Sequence, residues 1–587
     1  MTKTQSAQTQ RKIFLPLALV VWTILLLAAH GYWMATYTGG VIQEDTAILN
    51  PAVEFLRLRE TKPWTTAILG YETHYWRDSF VTPYLMAFLV YPPLPSLVVA
   101  GSIAWFGALP NAPFLPVMLY LPLLVLGTFL LARRFLGPVP SAAAAAIAPL
   151  FPGCFYLQRQ LYAAYPMTVV VTFALWAWWR SERLARPGRA VVFGLLAGAL
   201  LLVKHTASVF LVAPALWTLF ELGRDLSRDR SAFAKRLGGS VLALVTAAAV
   251  AALWYVPALR HLSFTLGFQA LRGVPEFEFL YYPRLIAFML GPVATVAAVV
   301  ALAGLAYTAY RREVFRSSWA AILFFASWIV VPVTIFSFLP VVNMEVMLPI
   351  LPAMAIVIAA GAARLPRRWM WGVQAGLAVI LAVLFVRTLD VYGLPFEKQL
   401  YEPRAPGTDA NYETLVTHLK ELTADVEAPM VAVVPFADYY VSDMVLNYYA
   451  FRHGFKYKRT EYWFDHLCGD NDPEAPAQPA EPLADFALRV EGDAQFKKVL
   501  GFSDVLLLNL RDKPLRDHER HCPLAQAVRL VLEKPEYQEV FKKRGVLTTP
   551  SGSEIHIHQA TAGRAAWVEM PPVPPPGQLA PPPPPHF

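Results

Sequence analysis

Two adjacent carboxylates, Glu44 and Asp45, follow the first long apolar run of the chain. A carboxylate at this place can accept a proton from a hydroxyl group, or hold a divalent cation against a phosphate group. A structural role is the alternative, because Asp45 directly precedes a predicted helix over Thr46–Glu60 and can cap its first backbone amides. Residue type and spacing alone do not choose between these roles.

Candidate cations lie at the edges of other apolar runs. Lys204 and His205 end one such run, and Arg159 lies in a segment with few other basic residues. A lysine can bind a phosphate as a point charge, and an arginine can bind one through two parallel hydrogen bonds. The alternatives are that Lys204 extends to lipid headgroups, and that Arg159 pairs with Glu44 or Asp45.

Two further charged residues also lie beside apolar runs. Arg272 belongs to the segment Arg260–Pro283, and Glu345 directly precedes the run that begins at Val346. Glu345 can position a substrate hydroxyl or pair with a loop arginine, and both readings stay open. No pair of histidines has ligand spacing on a predictable element, so a histidine metal site is not expected. The sequence also has no Walker loop and no dinucleotide-binding fingerprint, which gives nucleotide-driven transport no support.

Long apolar stretches separate these candidates. The chain has 587 residues, of which 56% are hydrophobic and 16% charged, and its mean hydropathy is +0.42. Soluble domains carry about 25% charged residues. Runs long enough to cross the roughly 30 Å apolar layer of a bilayer predict about eleven spans. The predicted spans are Ile13–Trp33, Phe114–Leu131, Val139–Leu157, Pro166–Trp179, Ala190–Val203, Ala207–Leu222, Leu237–Leu259, Leu285–Tyr307, Trp319–Leu339, Val346–Ala363 and Trp369–Val386.

The charge pattern predicts the orientation in the membrane. The formal net charge is +8, but the basic residues fall between spans rather than on one soluble surface. With an odd number of spans, all basic clusters share a side with the N-terminus, and the positive-inside rule makes that side cytoplasmic. We therefore expect a multi-pass protein of the cytoplasmic (inner) membrane with a cytoplasmic N-terminus. Nucleic acid is not an expected partner, because the surplus charge is topological.

The sequence divides into three parts. Residues 1–390 predict a polytopic α-helical membrane bundle with a long first outer loop at 34–113. Within that loop, Thr46–Glu60 predicts an amphipathic helix, and the short apolar stretch from Pro92 to Gly107 predicts a helix lying in the outer interface. Residues 391–570 predict an extracytoplasmic α/β domain, and the proline-dominated residues 571–587 predict a disordered tail.

Within the C-terminal domain, apolar runs and turn residues predict individual elements. The predicted strands are Met430–Val434, Val505–Leu510, Val546–Leu547 and Glu554–His558, and the predicted helices are Tyr412–Leu422, Val441–His453 and Ala525–Leu532. Gly469–Pro482 predicts a loop. Cys468 and Cys522 both lie in this domain, where an oxidising compartment permits a disulfide between them; two free thiols are the alternative.

Four places in the sequence resemble the GT-C superfamily of membrane glycosyltransferases. The likeness is greatest to the branch of protein O-mannosyltransferases and lipid A aminoarabinose transferases. The four places are the acidic pair Glu44–Asp45, the run from Tyr91-Pro92-Pro93-Leu94 to Gly107, the span junction from Gly194 to Thr206, and the run Leu348-Pro349-Ile350-Leu351-Pro352. In this order they fall within Ile13 to Val386, and an α/β domain after the last span also fits the family.

The resemblance implies transfer of a sugar from a polyprenyl-phosphate carrier to an acceptor on the outer side, without a nucleotide sugar. It implies that Asp45 matches the family's first-loop acid and that Lys204 matches its span-junction cation. Two positions depart from the family's pattern. Tyr165 precedes Pro166 where many members have a second acid, and Val346-Met347 follows Glu345 where an Arg-Tyr pair often stands.

Our leading hypothesis is an inverting glycosyltransferase that uses a polyprenyl-phosphate-linked sugar. Its acceptor, of unknown identity, would be a glycolipid, a polysaccharide or a protein. In this hypothesis Asp45 and Glu44 are the catalytic residues and the candidate ligands of a divalent cation. Lys204, Arg159 and His205 would bind the carrier phosphate. The acceptor-binding or structural candidates are Glu345, Tyr165 and Arg272.

Two other classes of protein stay open. The chain could be a transporter or flippase for a lipid-linked or amphipathic solute, or a non-catalytic membrane assembly protein. A transporter would place its ionisable residues near the middle of the bilayer, on broken helices. In this sequence such residues collect at the ends of spans, which favours chemistry at the membrane surface.

Overall fold

The computed structural model describes residues 3–36, 43–61, 92–107, 109, 111–271, 281–311, 315–338, 344–387, 408–426, 429–434, 443–455, 458–460, 483–492, 505–510, 524–548 and 554–561. Contacts between residues divide the chain into two compact units, Met1–Asp409 and Ala410–Phe587.

Every regular element that the structure describes in the first unit is a helix. Its α-helices are α1 (Lys3–Thr36), α2 (Gln43–Thr61), α3 (Leu94–Phe106), α4 (Leu115–Ala132), α5 (Pro138–Ile147), α6 (Pro152–Gln158), α7 (Ala164–Arg180), α8 (Pro187–Val203), α9 (Val209–Arg228), α10 (Arg230–Leu271), α11 (Tyr281–Arg311), α12 (Phe315–Ser337), α13 (Leu351–Ala362) and α14 (Arg367–Arg387). Short 3-10 helices lie at Ala112–Phe114, Ala148–Leu150, His205–Ser208 and Met344–Ile350.

The apolar helices confirm the predicted polytopic membrane bundle. Among the described residues, 6 helices are long and apolar enough to cross a bilayer, and α5 with α6, bent by 56°, makes a seventh if the pair is one span. The described residues of the predicted spans fall on helices of the first unit, and Val139–Leu157 falls on the bent pair α5 and α6. Their total number stays a prediction, since several of these helices are short.

Helix α8 connects the turn that contains Arg183 to Lys204. These two residues therefore mark opposite ends of the bundle, which we call the Arg183 end and the Lys204 end. Glycines let α8 pack closely against α10. A Cβ atom on Gly194 would lie 2.5 Å from the carbonyl oxygen of Ala243, and one on Gly198 would lie 2.6 Å from Cβ of Val250. Small residues permit this kind of close helix packing in membranes.

An ion-pair network joins α9, α10 and the α7–α8 turn at the Arg183 end. The guanidinium of Arg236 lies 2.8 Å from Asp225 and 3.2 Å from Glu221, and Arg183 lies 2.8 Å from Glu221. Arg236 also donates to the backbone carbonyls of Glu182 and Arg183, at 3.0 and 2.6 Å. Because Glu221, Asp225 and Arg236 are buried, their charges depend on these partners rather than on water.

The turn that Arg236 holds has an unusual backbone. Glu182, Arg183 and Leu184 have φ angles of 55°, 58° and 70°, the left-handed region that residues with a side chain seldom occupy. Gly239 of α10 lies directly beneath this turn, since a Cβ atom there would lie 1.9 Å from the carbonyl oxygen of Leu184. The turn, α9 and α10 thus form one packed arrangement.

The two helices predicted in the first outer loop are both present. Helix α2 buries the predicted apolar face, including Leu49, Ala52 and Val53, and it packs against α3. Helix α3 coincides with the predicted short apolar helix, and Trp105 near its end is 85% exposed. Helix α3 also contacts α8, so α2, α3 and α8 form a continuous series of packed helices.

The second unit contains a five-stranded sheet in the order β2-β1-β3-β5-β4. The strands are β1 (Met430–Val434), β2 (Lys458–Thr460), β3 (Val505–Leu510), β4 (Phe541–Thr548) and β5 (Glu554–Ala560), and the helices are α15 (Thr408–Leu422), α16 (Asp443–Arg452), α17 (Leu483–Gly492), α18 (Leu524–Leu532) and α19 (Pro535–Val540). Strands β2, β1 and β3 run parallel, whereas β5 is antiparallel to β3 and β4. Leu506 and Leu508 of β3 pack with Val528 and Val531 of α18 in an apolar core.

The sheet confirms the predicted fold class of a helical membrane bundle followed by a unit with strands and helices. Strands β1 and β3 have the predicted bounds, and β4 begins earlier than the predicted Val546. Strand β2 and helices α17 and α19 were not predicted. Cys468, Cys522, the loop Gly469–Pro482 and the tail 571–587 lie outside the described residues.

Candidate functional site

Lys204 and Glu345 form a buried ion pair at the Lys204 end of the bundle. The Lys204 ammonium donates to the carboxylate of Glu345, and the two residues are 4% and 2% exposed. Lys204 follows the last residue of α8, where the helix dipole favours a cation. Glu345 lies in the first turn of the 3-10 helix Met344–Ile350. Glu345 therefore pairs with a lysine rather than with a loop arginine, and its predicted role as an acceptor-binding or structural residue stays a prediction.

Arg159 follows α6 and lies among aromatic rings from three helices. Its guanidinium carbon is 5.0 Å from the centre of the Trp33 ring, and 5.8 Å from those of Phe155 and Phe385. Trp33 lies near the end of α1 and Phe385 near the end of α14. Cation–π contacts of this kind are worth about 0.5–1 kcal/mol each at exposed sites and more when desolvated. These contacts hold the Arg159 guanidinium beside the ends of α1, α6 and α14.

Neutral polar side chains flank Arg159 in the segment between α6 and α7. Gln158, Gln160 and Tyr165 are buried, at 1%, 6% and 1% exposure. The Gln160 amide donates to the hydroxyl of Tyr156 at 2.9 Å. Both amide atoms of Gln158, the amide oxygen of Gln160 and the hydroxyl of Tyr165 have no hydrogen-bond partner in the described part of the chain. Buried polar groups usually have one.

The Gln158–Tyr165 segment and the ion pair lie at the same end of the bundle. Helices α6 and α7, which this segment joins, both contact the 3-10 helix that carries Glu345. Trp33 and Phe385, which contact Arg159, also lie at helix ends. The structure therefore places the predicted residues Arg159, Lys204, Glu345 and Tyr165 at the same end of the bundle.

His205 belongs to the 3-10 helix that follows Lys204. It is half-buried, and its backbone carbonyl accepts a hydrogen bond from the hydroxyl of Ser208 at 2.9 Å. Sequence and structure thus place it beside the ion pair, which is compatible with its predicted role.

Glu44 and Asp45 lie in the first turn of α2, which begins at Gln43. Asp45 therefore does not have the position of a residue that precedes the helix, which was the basis of the capping alternative. The side chains of Glu44 and Asp45, and all of Arg272, lie outside the described residues, so their predicted roles stay predictions. Among the side chains that the structure describes, no group of three or more His, Cys, Asp or Glu can hold a metal ion.

The sequence analysis missed several polar and aromatic residues of this site. Gln158, Gln160 and Trp33 were not singled out, and neither was His30. His30 is 1% exposed, its ring centre lies 5.5 Å from that of Trp33, and its Nδ1 has no partner among the described residues. These residues could have been found from the sequence because His and Gln lie inside or beside apolar runs, where polar side chains are rare and often functional.

Comparison with known proteins identifies the fold of the chain. Residues 90–255 match the family model of dolichyl-phosphate-mannose-protein mannosyltransferase. The structure is similar to a crystal structure of ArnT from Cupriavidus metallidurans bound to undecaprenyl phosphate, with a TM-score of 0.56 and 14% identity over 93% of this chain and 98% of that chain. The apo structure of ArnT gives a TM-score of 0.53 and 15% identity, over 95% and 99% of the two chains. The chain has the GT-C fold.

The GT-C fold is the fold that the four sequence motifs led us to expect. No curated protein sequence matches the chain, so the assignment rests on the family match and on the fold. The matched range runs from the residues before α3 into α10, and it contains Arg159, Gln158 and Lys204. Four residues of the site described above, Gln158, Arg159, Tyr165 and Lys204, therefore lie within the part of the chain that matches the mannosyltransferase family in sequence.

Proposed function

We propose that this chain is an inverting glycosyltransferase that moves a sugar from a polyprenyl-phosphate carrier to an acceptor. The acceptor would be a glycolipid, a polysaccharide or a protein at the outer face of the cytoplasmic membrane. The GT-C fold over almost the full length of ArnT, whose crystal structure holds undecaprenyl phosphate, supports this proposal. The match of residues 90–255 to a mannosyltransferase family supports it independently.

The observation that carries the proposal is the placement of two cations at one end of this fold. Lys204 is buried beside Glu345, and Arg159 lies among the aromatic rings at nearby helix ends. Fixed cations stabilise the charge that develops on a departing phosphate. An ammonium has three N–H donors, so pairing with Glu345 and binding a phosphate oxygen are compatible.

The proposed reaction is a single displacement at the anomeric carbon of the sugar. An oxygen of the acceptor hydroxyl forms the new bond to this carbon while the bond from the carbon to the phosphate oxygen breaks. The electron pair of the broken bond leaves with the polyprenyl phosphate, near Lys204 and Arg159. The carboxylate of Asp45 takes the proton of the hydroxyl. The anomeric configuration inverts, because the acceptor attacks from the face opposite the phosphate.

The packing of α2 supports the role of Asp45. Helix α2 packs against α3, and α3 contacts α8, which ends at Lys204. Asp45 lies in the first turn of α2, where the positive end of the helix dipole stabilises a carboxylate. Glu44 and Asp45 are also the candidate ligands of a divalent cation, which would offset charge on the leaving phosphate.

The distribution of charge supports the proposed orientation. The Arg183 end carries many of the described basic residues, including Arg133, Arg134, Arg180 and Arg186, and the positive-inside rule assigns such an end to the cytoplasm. The Lys204 end would then face outward. A carrier sugar presented on the outer side of the membrane could reach it from the bilayer.

Transfer measurements in proteoliposomes that contain an undecaprenyl-phosphate-linked sugar test the proposal. Asp45→Asn should lower the transfer rate by about 10²–10⁴-fold, and it should leave the binding of undecaprenyl phosphate unchanged when divalent cations are removed. Lys204→Met should weaken that binding. Asp425→Asn, at an exposed position of the second unit, is the matched control and should change neither quantity. Full transfer by Asp45→Asn would refute the assignment of the base, and failure of the wild type to bind undecaprenyl phosphate would refute the function.

A further inference from the structure

The segment between α6 and α7 contains buried polar groups that the protein itself does not satisfy. Gln158 is 1% exposed, and neither its amide nitrogen nor its amide oxygen has a hydrogen-bond partner in the described part of the chain. The same holds for the hydroxyl of Tyr165, which is also 1% exposed. Since a buried polar group without a partner is costly, a bound molecule that supplies the missing partners would offset this cost.

The chemistry of these groups defines what they can bind. The amide of Gln158 donates through nitrogen and accepts through oxygen, and the hydroxyl of Tyr165 both donates and accepts. The hydroxyl groups of a sugar also do both. An uncharged sugar therefore offers partners of the required kinds.

The location of the segment fits a sugar attached to a bound phosphate. Helices α6 and α7 contact the 3-10 helix that carries Glu345, and Glu345 is paired with Lys204. A carrier phosphate that binds Lys204 would hold its sugar within reach of the α6–α7 segment. Gln158 and Tyr165 lie at the two ends of this segment, where α6 ends and α7 begins.

The charges in the segment discriminate between classes of sugar. An ammonium group only donates hydrogen bonds and prefers an acidic partner. Gln158 and Tyr165 carry no formal charge, and Arg159 between them is a cation. The described acid near this segment, Glu345, is already paired with Lys204. The described residues of the α6–α7 segment therefore offer no carboxylate to an ammonium group that lies between Gln158 and Tyr165, which disfavours an amino sugar at that position.

We propose that Gln158 and Tyr165 bind hydroxyl groups of the carrier-linked sugar and make the protein selective for uncharged sugars over amino sugars. This inference rests on the proposed function, because it concerns the donor of the same reaction. It adds the class of the sugar and the residues that recognise it.

Binding to the full-length protein in lipid nanodiscs tests the inference with three probes. The probes are undecaprenyl phosphate alone, the same carrier with mannose as an uncharged hexose, and the same carrier with 4-amino-4-deoxyarabinose. The wild type should bind the mannose carrier roughly tenfold or more tightly than the carrier alone, and more tightly than the amino sugar carrier. Gln158→Leu and Tyr165→Phe should each remove most of this gain and leave affinity for the carrier alone unchanged.

Two further variants sharpen the test. Gln158→Glu has nearly the shape of the natural side chain but adds a negative charge, so it should shift preference toward the amino sugar carrier by roughly tenfold. Gln374→Leu is the matched control, since Gln374 is another buried amide, 7% exposed, near the start of α14 at the other end of that helix from Phe385. It should alter neither affinity nor preference.

The possible outcomes separate the inference from the function on which it rests. Equal binding of the mannose and amino sugar carriers by the wild type would overturn the inference. So would an undiminished gain in both Gln158→Leu and Tyr165→Phe, because the buried groups would then be satisfied by water alone. In both cases the carrier itself still binds. Failure of the wild type to bind undecaprenyl phosphate would overturn the proposed function, and the inference with it.

Discussion

Lys204 and Glu345 form an ion pair although 141 residues of sequence separate them, and both side chains are buried. The pair connects the end of α8 to the 3-10 helix that leads into α13. It therefore fixes the Lys204 cation at the end of the bundle where α6 ends and α7 begins. A buried pair of this kind is weak evidence for stability; our hypothesis is that it specifies which helix ends meet.

Single and double substitutions of this pair should behave differently. Glu345→Gln leaves the ammonium of Lys204 buried without its carboxylate, and we expect it to lower the free energy of unfolding by about 3–5 kcal/mol. The double variant Lys204→Met/Glu345→Leu removes both charges, and should be more stable than either single variant. Thermal unfolding of the detergent-solubilised protein measures both effects. Losses that simply add would show that the two residues are not coupled.

Two neighbouring glycines of α10 give a sharp test of the packing at the Arg183 end. A Cβ atom on Gly239 would lie 1.9 Å from the backbone oxygen of Leu184, whereas one on Gly238 would meet nothing within 4 Å. We expect Gly239→Ala to destabilise the protein by about 1–3 kcal/mol or more. Gly238→Ala should stabilise it by up to about 1 kcal/mol, because alanine has the higher helix propensity. Unfolding of the two variants under the same conditions measures the difference, and equal behaviour would contradict the close approach.

Local patterns were enough to predict most elements of the fold. The apolar runs Met430–Val434 and Val505–Leu510 became β1 and β3 with the predicted bounds, because buried central strands are uniformly apolar. Strand β2 is short and reads Lys458–Thr460, so it exists only because β1 offers it backbone partners. No local signal distinguishes such a segment from a loop.

The site could be predicted only in part for a similar reason. Lys204 and Arg159 were found because a charge at the edge of an apolar run is unusual. Glu345 was found in the same way, but its pairing with Lys204 depends on tertiary packing across the bundle. The burial of Gln158 and Tyr165 depends on the same packing. Sequence alone therefore identified the charged residues and Tyr165, and it missed Gln158.

The ion-pair network around Arg236 should be essential to the Arg183 end. Arg236→Met leaves Glu221 and Asp225 buried with fewer partners, and removes the donors to the carbonyls of the left-handed turn. We expect a loss of about 3–5 kcal/mol in the free energy of unfolding. Arg236→Lys keeps the charge but lacks the planar fork of donors, so its loss should be intermediate.

The control for this network is Arg228→Met, since Arg228 is exposed at the end of α9. Substitutions at exposed positions usually change stability by less than about 0.5 kcal/mol. Denaturant unfolding monitored by tryptophan fluorescence compares the three variants. A loss for Arg236→Met no larger than that of the control would show that the network does not stabilise the fold.

The second unit should become less stable in mild acid because of His558. This side chain is 6% exposed, and burial, with smaller contributions from His556 and Lys543, lowers its pKa to about 4. An unfolded histidine has a pKa of about 6.5, so the folded state favours the neutral ring. The free energy of unfolding should therefore be constant above about pH 6.5 and fall toward pH 4, by at most about 1.4 kcal/mol per pH unit. Hydrogen exchange of β3 and β5 peptides in the full-length protein measures this slope. His558→Gln should reduce this slope. His418→Gln is the control and should retain the slope, because the side chain of His418 is 38% exposed. An unchanged slope in His558→Gln would assign the acid sensitivity to another group.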